Sequence, residues 1–263
     1  MTFSIITINY NNKIGLLRTI DSVLSQKVTD YEFIIIDGGS TDGSVEVIKQ
    51  IAKKITYWVS EKDDGIYNAM NKGVAQAHGK YCIFMNSGDC FHSPDVLSTV
   101  AGYQEDFICG KVYKGDSTIP FGHNKPTISL VDLMRGSLPH QAMFIKRELL
   151  VKHPYDERYK IVSDWKFCIQ AIIIDNCSFR NIDIIIADYD TNGISTNSNG
   201  LLPKEKKEIL KELLPPRILA DYQRLAPVDD ELLDQALILT QTVRARQLVK
   251  QFSSYIIRFI KKK

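Results

Sequence analysis

The stretch Phe33-Ile34-Ile35-Ile36-Asp37-Gly38-Gly39-Ser40-Thr41-Asp42 decides the fold. Its four successive apolar residues read as a buried strand, and Asp37-Gly38-Gly39-Ser40 is a turn cluster that ends it. Ser40-Thr41-Asp42 then opens a helix through residue 51, with Val45, Val47 and Ile48 as its apolar positions. Working back from this stretch, Phe3-Ser4-Ile5-Ile6-Thr7-Ile8 is a second β-branched run. Residues 14–26 carry apolar side chains at 14, 16, 17, 20, 23 and 24, which is a helical stripe. Working forward, residues 55–59 read as a strand, 66–77 as a helix and 81–85 as a strand. This alternation predicts βαβ units and a mostly parallel sheet. Ligands of such sheets sit at the carboxyl ends of the strands. Three polar clusters fall there: Asn9-Tyr10-Asn11, Asp37-Gly38-Gly39 and Asn86-Ser87-Gly88-Asp89.

The region from 91 to 187 is less regular. Strands are expected at 107–112, 142–145 and 179–186, and a helix at 163–174. Residues 188–200 read as loop. Beyond Pro203 the chain turns helical, over 204–214 and 229–260, with Pro215-Pro216 and Pro227 between. Length points the same way, since 263 residues make one large domain with an appendage. We expect a domain at 1–200 and a helical, basic extension at 201–263. Hydrophobic residues at 44% and charged residues at 24% exclude a disordered, collagen-like or polytopic membrane chain.

The five cysteines, with no C-x-x-C pair, read as reduced buried thiols of a cytosolic protein. Met1-Thr2-Phe3 runs directly into a strand, without the pattern of a secretory leader. Charge is nearly balanced, 33 Lys+Arg against 31 Asp+Glu, which speaks against nucleic acid. The balance hides a distribution. Residues 201–263 hold 13 basic and 8 acidic residues, and residues 1–200 hold 20 and 23. Residues 244–263 contain seven basic residues and no acid, interleaved with Leu248, Val249, Phe252, Tyr255, Ile256, Ile257, Phe259 and Ile260. That pattern suits an anionic membrane surface, a packed terminal helix or an oligomer contact.

Asp37, just past a buried strand and before two glycines, is placed to meet a ligand's N–H groups or to cap the next helix. Asp89, beside a flexible glycine at a strand end, suits a hard divalent cation bridging two phosphates, or a plain turn. Taken in order, three motifs resemble those of the family 2 glycosyltransferases. They are Ile34 to Ser44, Glu61-Lys62-Asp63-Asp64-Gly65-Ile66-Tyr67-Asn68-Ala69-Met70-Asn71-Lys72-Gly73, and Phe84-Met85-Asn86-Ser87-Gly88-Asp89. The nearest likeness is to the transferases of colanic-acid and related exopolysaccharide clusters. It is dense over residues 3–92, looser to about 190, and absent from the C-terminal helices.

The resemblance implies an α/β, GT-A fold: a Rossmann-like mixed, mostly parallel sheet flanked by helices, here with a C-terminal helical extension. It implies a nucleotide-sugar donor, usually a UDP-sugar, with Mg²⁺ or Mn²⁺, and inverting transfer to an acceptor hydroxyl. Carried over by position, Thr7, Asn9 and Tyr10 line the nucleoside pocket, Asp37 faces the base, and Asp64 and Asn71 close the pocket. Asp89 holds the metal, and Asn86 stands where the family's motif begins with a carboxylate. Asp164, in Ile161-Val162-Ser163-Asp164-Trp165-Lys166-Phe167, is the candidate base. Ser163 and Asp164 also read as a helix cap and a first-turn acid. His140, in Leu138-Pro139-His140-Gln141-Ala142, holds the diphosphate or orients the acceptor, or is a loop histidine satisfied by backbone. Trp165 reads as core or as a stacking platform for a sugar. His78, His92, His123 and His153 show no ligand spacing and read as surface residues.

The implied enzyme works at the inner face of a bacterial membrane on a lipid-linked glycan, for capsule or exopolysaccharide, and is compatible with a homodimer. A lapsed, acceptor-binding scaffold is the alternative that Asn86 favours. A sugar nucleotidyltransferase fits less well, because Ile8-Asn9-Tyr10-Asn11-Asn12 has no glycine to cradle a triphosphate.

Overall fold

A computed structural model describes residues 1–191, 200–225, 227 and 243–260. The chain divides into two compact units, Met1–Leu214 and Pro215–Lys263. The first is built on an eight-stranded mixed sheet in the order β3-β2-β1-β4-β7-β6-β8-β5. The strands are β1 (Phe3–Asn9), β2 (Tyr31–Asp37), β3 (Tyr57–Ser60), β4 (Tyr81–Phe84), β5 (Cys90–Phe91), β6 (Phe107–Lys114), β7 (Met143–Lys146) and β8 (Phe179–Tyr189). β3, β2, β1 and β4 run parallel. β7 enters antiparallel between β4 and β6, while β6 and β8 are again parallel.

Every residue of β1 is buried, as befits a central strand covered on both faces. Phe3 and Ile5 pack with Leu16, Ile20 and Val23 of α1 (Lys13–Leu24), and with Val47 and Ile48 of α2 (Ser44–Gln50). The opposite face of β1 meets α3 (Ile66–Gln76), so closely that a Cβ on Gly73 would lie 2.4 Å from Ile6 Cγ2.

The expected strands and helices of the first 90 residues are all present. α2 begins at Ser44 rather than at Ser40, because Gly43 takes a left-handed φ of 92° and the Asp42 carboxylate accepts from the Ser44 N–H and hydroxyl. The middle region holds elements too short to carry a periodic signal: β5, α4 (Val96–Val100), α5 (Leu130–Arg135) and α6 (Arg147–Lys152). The helix expected at 163–174 is α7 (Ser163–Cys168) continuing as a π-helix over Ile169–Ile174. Residues 188 and 189, read as loop, extend β8, and residues 192–199 lie outside the described chain.

α8 (Leu201–Leu213) belongs to the first unit. The buried Glu205 carboxylate accepts from the N–H groups of Lys160 (2.9 Å) and Ile161 (3.1 Å). Glu212 accepts from Lys166 Nζ at 2.6 Å and from the Tyr159 hydroxyl at 3.0 Å. α8 therefore holds the segment that leads into α7.

The second unit contains α9 (Pro216–Leu225) and α10 (Val243–Ile260). The start expected for the last helix at 229, and Lys261 to Lys263, lie outside the described residues. No helix among the described residues is long and apolar enough to cross a membrane. The cysteines are free thiols, with Cys82, Cys109 and Cys168 buried. His123 and His153 are half-buried rather than on the surface, and Asp175 holds His153 Nε2 at 2.6 Å.

The α3–β1 contact sets two effects against each other at Gly73. Alanine gains about 1 kcal/mol of helix propensity over glycine. Overpacking a buried contact costs about 1–3 kcal/mol, and Ile6 is a branched residue fixed in the central strand. We expect Gly73→Ala to lower the midpoint of denaturant unfolding, and a midpoint at or above wild type refutes the close packing of α3.

Candidate active site

Four groups of residues build the site. The first follows β2. Asp37 is fully buried, and its Oδ1 accepts from Asn9 Nδ2 (2.7 Å) and Ser40 Oγ (2.6 Å). Its Oδ2 accepts from Ser60 Oγ (2.6 Å) and from the N–H groups of Ser40 (2.9 Å) and Gly39 (3.2 Å). Burial pushes this carboxyl up, but the Ser40, Ser60 and Asn9 donors outweigh it and hold it below the usual carboxylate range. Asp37, which the resemblance implies faces the base, here turns both oxygens to neighbouring donors. Its oxygens are taken by the turn it organises.

Asp63 lies against Gly38. A Cβ on Gly38 would meet Asp63 Oδ2 at 2.5 Å and the Tyr10 ring at 3.2 Å. The missing side chain at Gly38 thus lets the Asp63 carboxylate and the Tyr10 ring, 67% exposed, close over the turn. Asp63 Oδ1 is fixed by the Gly65 N–H at 3.0 Å, while Asp64 is exposed. Thr7 is buried and its hydroxyl donates to the Met85 carbonyl at 2.7 Å. Asn9 joins two turns, because its Oδ1 also accepts from Ser87 Oγ at 2.6 Å.

The second turn is Asn86-Ser87-Gly88-Asp89. Thr19 of α1 anchors it by accepting from the Gly88 N–H (2.9 Å) and donating to the Asp89 carbonyl (2.7 Å). Gly88 has φ 109°, and a Cβ there would lie 2.7 Å from Asp190 Oδ2. Asp89 is buried and accepts from the Asp190 N–H at 2.9 Å. Its carboxyl is pushed up to about 7 by burial, which the Asp190 N–H and the Gln141 side chain oppose and the Asp190 charge reinforces. Asn86 Oδ1 is buried without a hydrogen-bond partner. An orphaned acceptor beside a carboxylate held back from ionising suits a cation. Among the described residues, no three His, Cys, Asp or Glu side chains gather to complete a shell. A cation here would lean on Asp89, the Asn86 oxygen and a ligand's own oxygens, with Asp190 beside them.

The third group surrounds Asp164 in the first turn of α7. Its Oδ1 accepts from the Tyr67 hydroxyl of α3 at 2.8 Å. His140 lies in a 3-10 turn, His140–Ala142, stacked on Phe84 with ring centroids 5.3 Å apart. Burial lowers its pKa, the nearby Asp164 opposes this, and Nε2 is buried without a partner. His140 is thus neither a surface histidine nor one satisfied by backbone at Nε2. Trp165 is core, with Nε1 donating to the Leu133 carbonyl at 2.7 Å and the Lys206 ammonium 4.7 Å from its ring centre.

The fourth turn links α3 to residues 155–157. Asn71 does not close a pocket with its amide. It donates to the Tyr155 carbonyl (2.8 Å) and Glu157 (2.9 Å), and accepts from the Tyr155 N–H (3.0 Å).

Sequence reasoning passed over Asp63, Thr19, Gln141, Asp190 and Tyr67. Gly38 carried a signal for Asp63, since a glycine where a side chain is expected leaves room for another. Asp188-Tyr189-Asp190 was visible as an acidic pair after a strand. Nothing local marks Tyr67 or Thr19.

Comparison with known proteins agrees with this geometry. The family model described as Glycosyl transferase family 2 matches residues 4–159. An uncharacterised glycosyltransferase of Mycobacterium tuberculosis is 32% identical over 212 residues, covering 74% of this chain and 78% of its own. A PGL/p-HBAD biosynthesis glycosyltransferase of Mycobacterium bovis is 29% identical, covering 77% and 81%. Among solved structures, S. aureus TarS 1-349 in complex with UDP-GlcNAc superposes with a TM-score of 0.67 at 18% identity, covering 94% of this chain and 78% of that one. The mannosyltransferase PcManGT of Pyrobaculum calidifontis, in complex with GDP-Man and Mn²⁺, gives 0.62 at 15% identity, covering 97% and 80%. The sheet, its flanking helices and the strand-end turns are those of a GT-A fold, and the chain belongs to glycosyl transferase family 2.

Proposed function

We propose that the chain is an inverting, cation-assisted glycosyltransferase that moves a sugar from a UDP-sugar to a hydroxyl of a lipid-linked glycan. One observation carries the reading. His140 and Gln141 are consecutive residues: the Gln141 side chain opposes the burial that raises the Asp89 carboxyl, and the Asp164 charge opposes the burial that lowers His140. Two neighbouring residues thus join the carboxylate suited to a cation and the carboxylate suited to a base.

In this mechanism the nucleoside binds at the strand ends near Tyr10 and Asp63. The acceptor oxygen attacks the anomeric carbon from the side opposite the diphosphate, and Asp164 takes its proton. The bond from the anomeric carbon to the diphosphate oxygen breaks, and its electron pair leaves with the diphosphate. A divalent cation at Asp89 and Asn86 supplies, when bound, positive charge for the departing oxygens. His140, neutral in its buried site, borders the reacting centre without adding charge. UDP as the donor nucleotide rests on the likeness to the chain crystallised with UDP-GlcNAc. The lipid-linked acceptor rests on the basic end of the chain and on the relative named for PGL biosynthesis.

UDP release from a panel of UDP-sugars with Mn²⁺ is expected for the wild type. Asp89→Ala and Asp164→Asn should each reduce it by roughly 10²–10⁴-fold, the range of a lost acid–base group. If both variants keep full turnover, the site is assigned to the wrong residues. A wild type that binds UDP yet releases none from any sugar favours the scaffold that Asn86 suggested.

We further propose that residues 244–263 bring the enzyme to an anionic membrane surface. Val243–Ile260 is one 18-residue helix, long enough to lie along such a surface. Deleting 244–263 should abolish co-sedimentation with phosphatidylglycerol-containing vesicles while leaving the fold intact by circular dichroism. Undiminished co-sedimentation refutes this role.

A further inference from the structure

We infer that Tyr67 is a positioning residue for the base: its hydroxyl engages Asp164 Oδ1, so that the acceptor's proton is received on Oδ2. The inference rests on Asp164 being the base. The contact joins residues 97 apart in sequence, at 2.8 Å, from the opening turn of α3 to that of α7.

Three features make it directional. First, the Tyr67 side chain is buried, and burial, followed by the charge of Asp164, pushes its pKa well above the ordinary value. The phenol therefore keeps its proton, and across this contact it is the donor. Second, its ring is braced against the buried Tyr155 ring at 5.5 Å, and Tyr155 packs in turn on Phe84 (5.5 Å) and Phe167 (5.7 Å). The hydroxyl is thus fixed by a cluster of rings rather than by a flexible chain. Third, Asn71, one helical turn further along α3, is bonded to the Tyr155 backbone in both directions, which locks the height of α3 against the segment before α7.

A carboxylate that accepts such a bond on one oxygen has lost freedom about χ2, and its second oxygen points along one direction. The balance of the step is then complete. The acceptor O–H bond breaks and its proton goes to Oδ2, the new bond forms to the anomeric carbon, and the diphosphate leaves with the electron pair. The other titratable groups facing Asp164 are His140, Tyr155, Cys168 and Lys206. Burial keeps the imidazole, the phenol and the thiol neutral, and Lys206 is the cation among them, its pKa lowered by burial.

The test compares wild type, Tyr67→Phe and Asp164→Asn, at full length. The probe is the UDP-sugar that the wild type hydrolyses fastest with Mn²⁺, with water as acceptor, at one fixed pH. Tyr67→Phe removes the donor and keeps the ring. We expect kcat to fall about 10- to 100-fold while donor KM stays within about twofold. The melting temperature separates a folding defect from this outcome. A Tyr67→Phe enzyme with wild-type kcat overturns the inference, as does a loss of kcat matched by a rise in KM. Should Asp164→Asn hydrolyse the donor as the wild type does, the base assignment itself falls, a result distinct from a silent Tyr67→Phe beside an inactive Asp164→Asn.

Discussion

The buried carboxylate of Asp37 is the constraint on which the site depends. An ionised group removed from water costs several kcal/mol unless its lone pairs are met. Here they are met from three places: Asn9 at the end of β1, Ser60 at the end of β3, and the turn at residues 39–40 that Asp37 itself begins. Three parallel strand ends are therefore drawn to one point. Asn9 extends the same network to Ser87, so the turn that carries Asp89 is registered against the turn that begins at Asp37. The fold uses its charge to order backbone, and leaves the carboxylates that can meet a ligand, Asp63 and Asp89, on the turns so ordered.

α3 carries this order to the other half of the sheet. One face of the helix is pressed onto Ile6 through Gly73, and its first two turns reach out to Asp164, Tyr155 and Glu157. α8 holds the same segment from the far side through Glu205 and Glu212. Burial and two salt bridges keep Lys166 in place, with Asp156 at 2.7 Å and Glu212 at 2.6 Å. Asp156 is held far below the usual carboxylate range by Arg158 and Lys166, so this clamp stays charged across the neutral range. Asp164 is thus located by a helix of the parallel half and by one that follows the sheet altogether.

The parallel half of the fold was legible because its strands and helices are long enough to show a period, and because turn residues separate them. The later half was less so. β5 has two residues and α4 has five, and elements that short carry no period. Within the site, residue type was legible and direction was not. Thr7 stands between two buried isoleucines on a strand covered on both faces, where alternation does not say which side meets a ligand. Asp63 and Asp64 are adjacent acids, and only the space above Gly38 distinguishes them. Asn71 reads as a polar residue of a ligand-binding motif, yet its amide is matched to a backbone 84 residues away. Contacts of that range leave no local pattern.

Asn86 shows how the same physics resolves a departure from the family's motif. A carboxylate there would be a third acid beside Asp89 and Asp190, in a place where burial and one neighbour already push Asp89 up to about 7. Like charges in a buried site cannot all ionise, so a third acid would stay protonated or displace its neighbours. The amide offers an oxygen without that conflict, and its Oδ1 is left open by the protein. Its neutrality therefore leaves the metal-binding reading intact and shifts the burden of charge to Asp89, to Asp190 beside it, and to the diphosphate. On this view an Asn86→Asp enzyme binds Mn²⁺ no more tightly at pH 6 than the wild type and gains only as the pH rises, whereas an amide that merely marks a lapsed site would show neither Mn²⁺ binding nor that trend by isothermal titration.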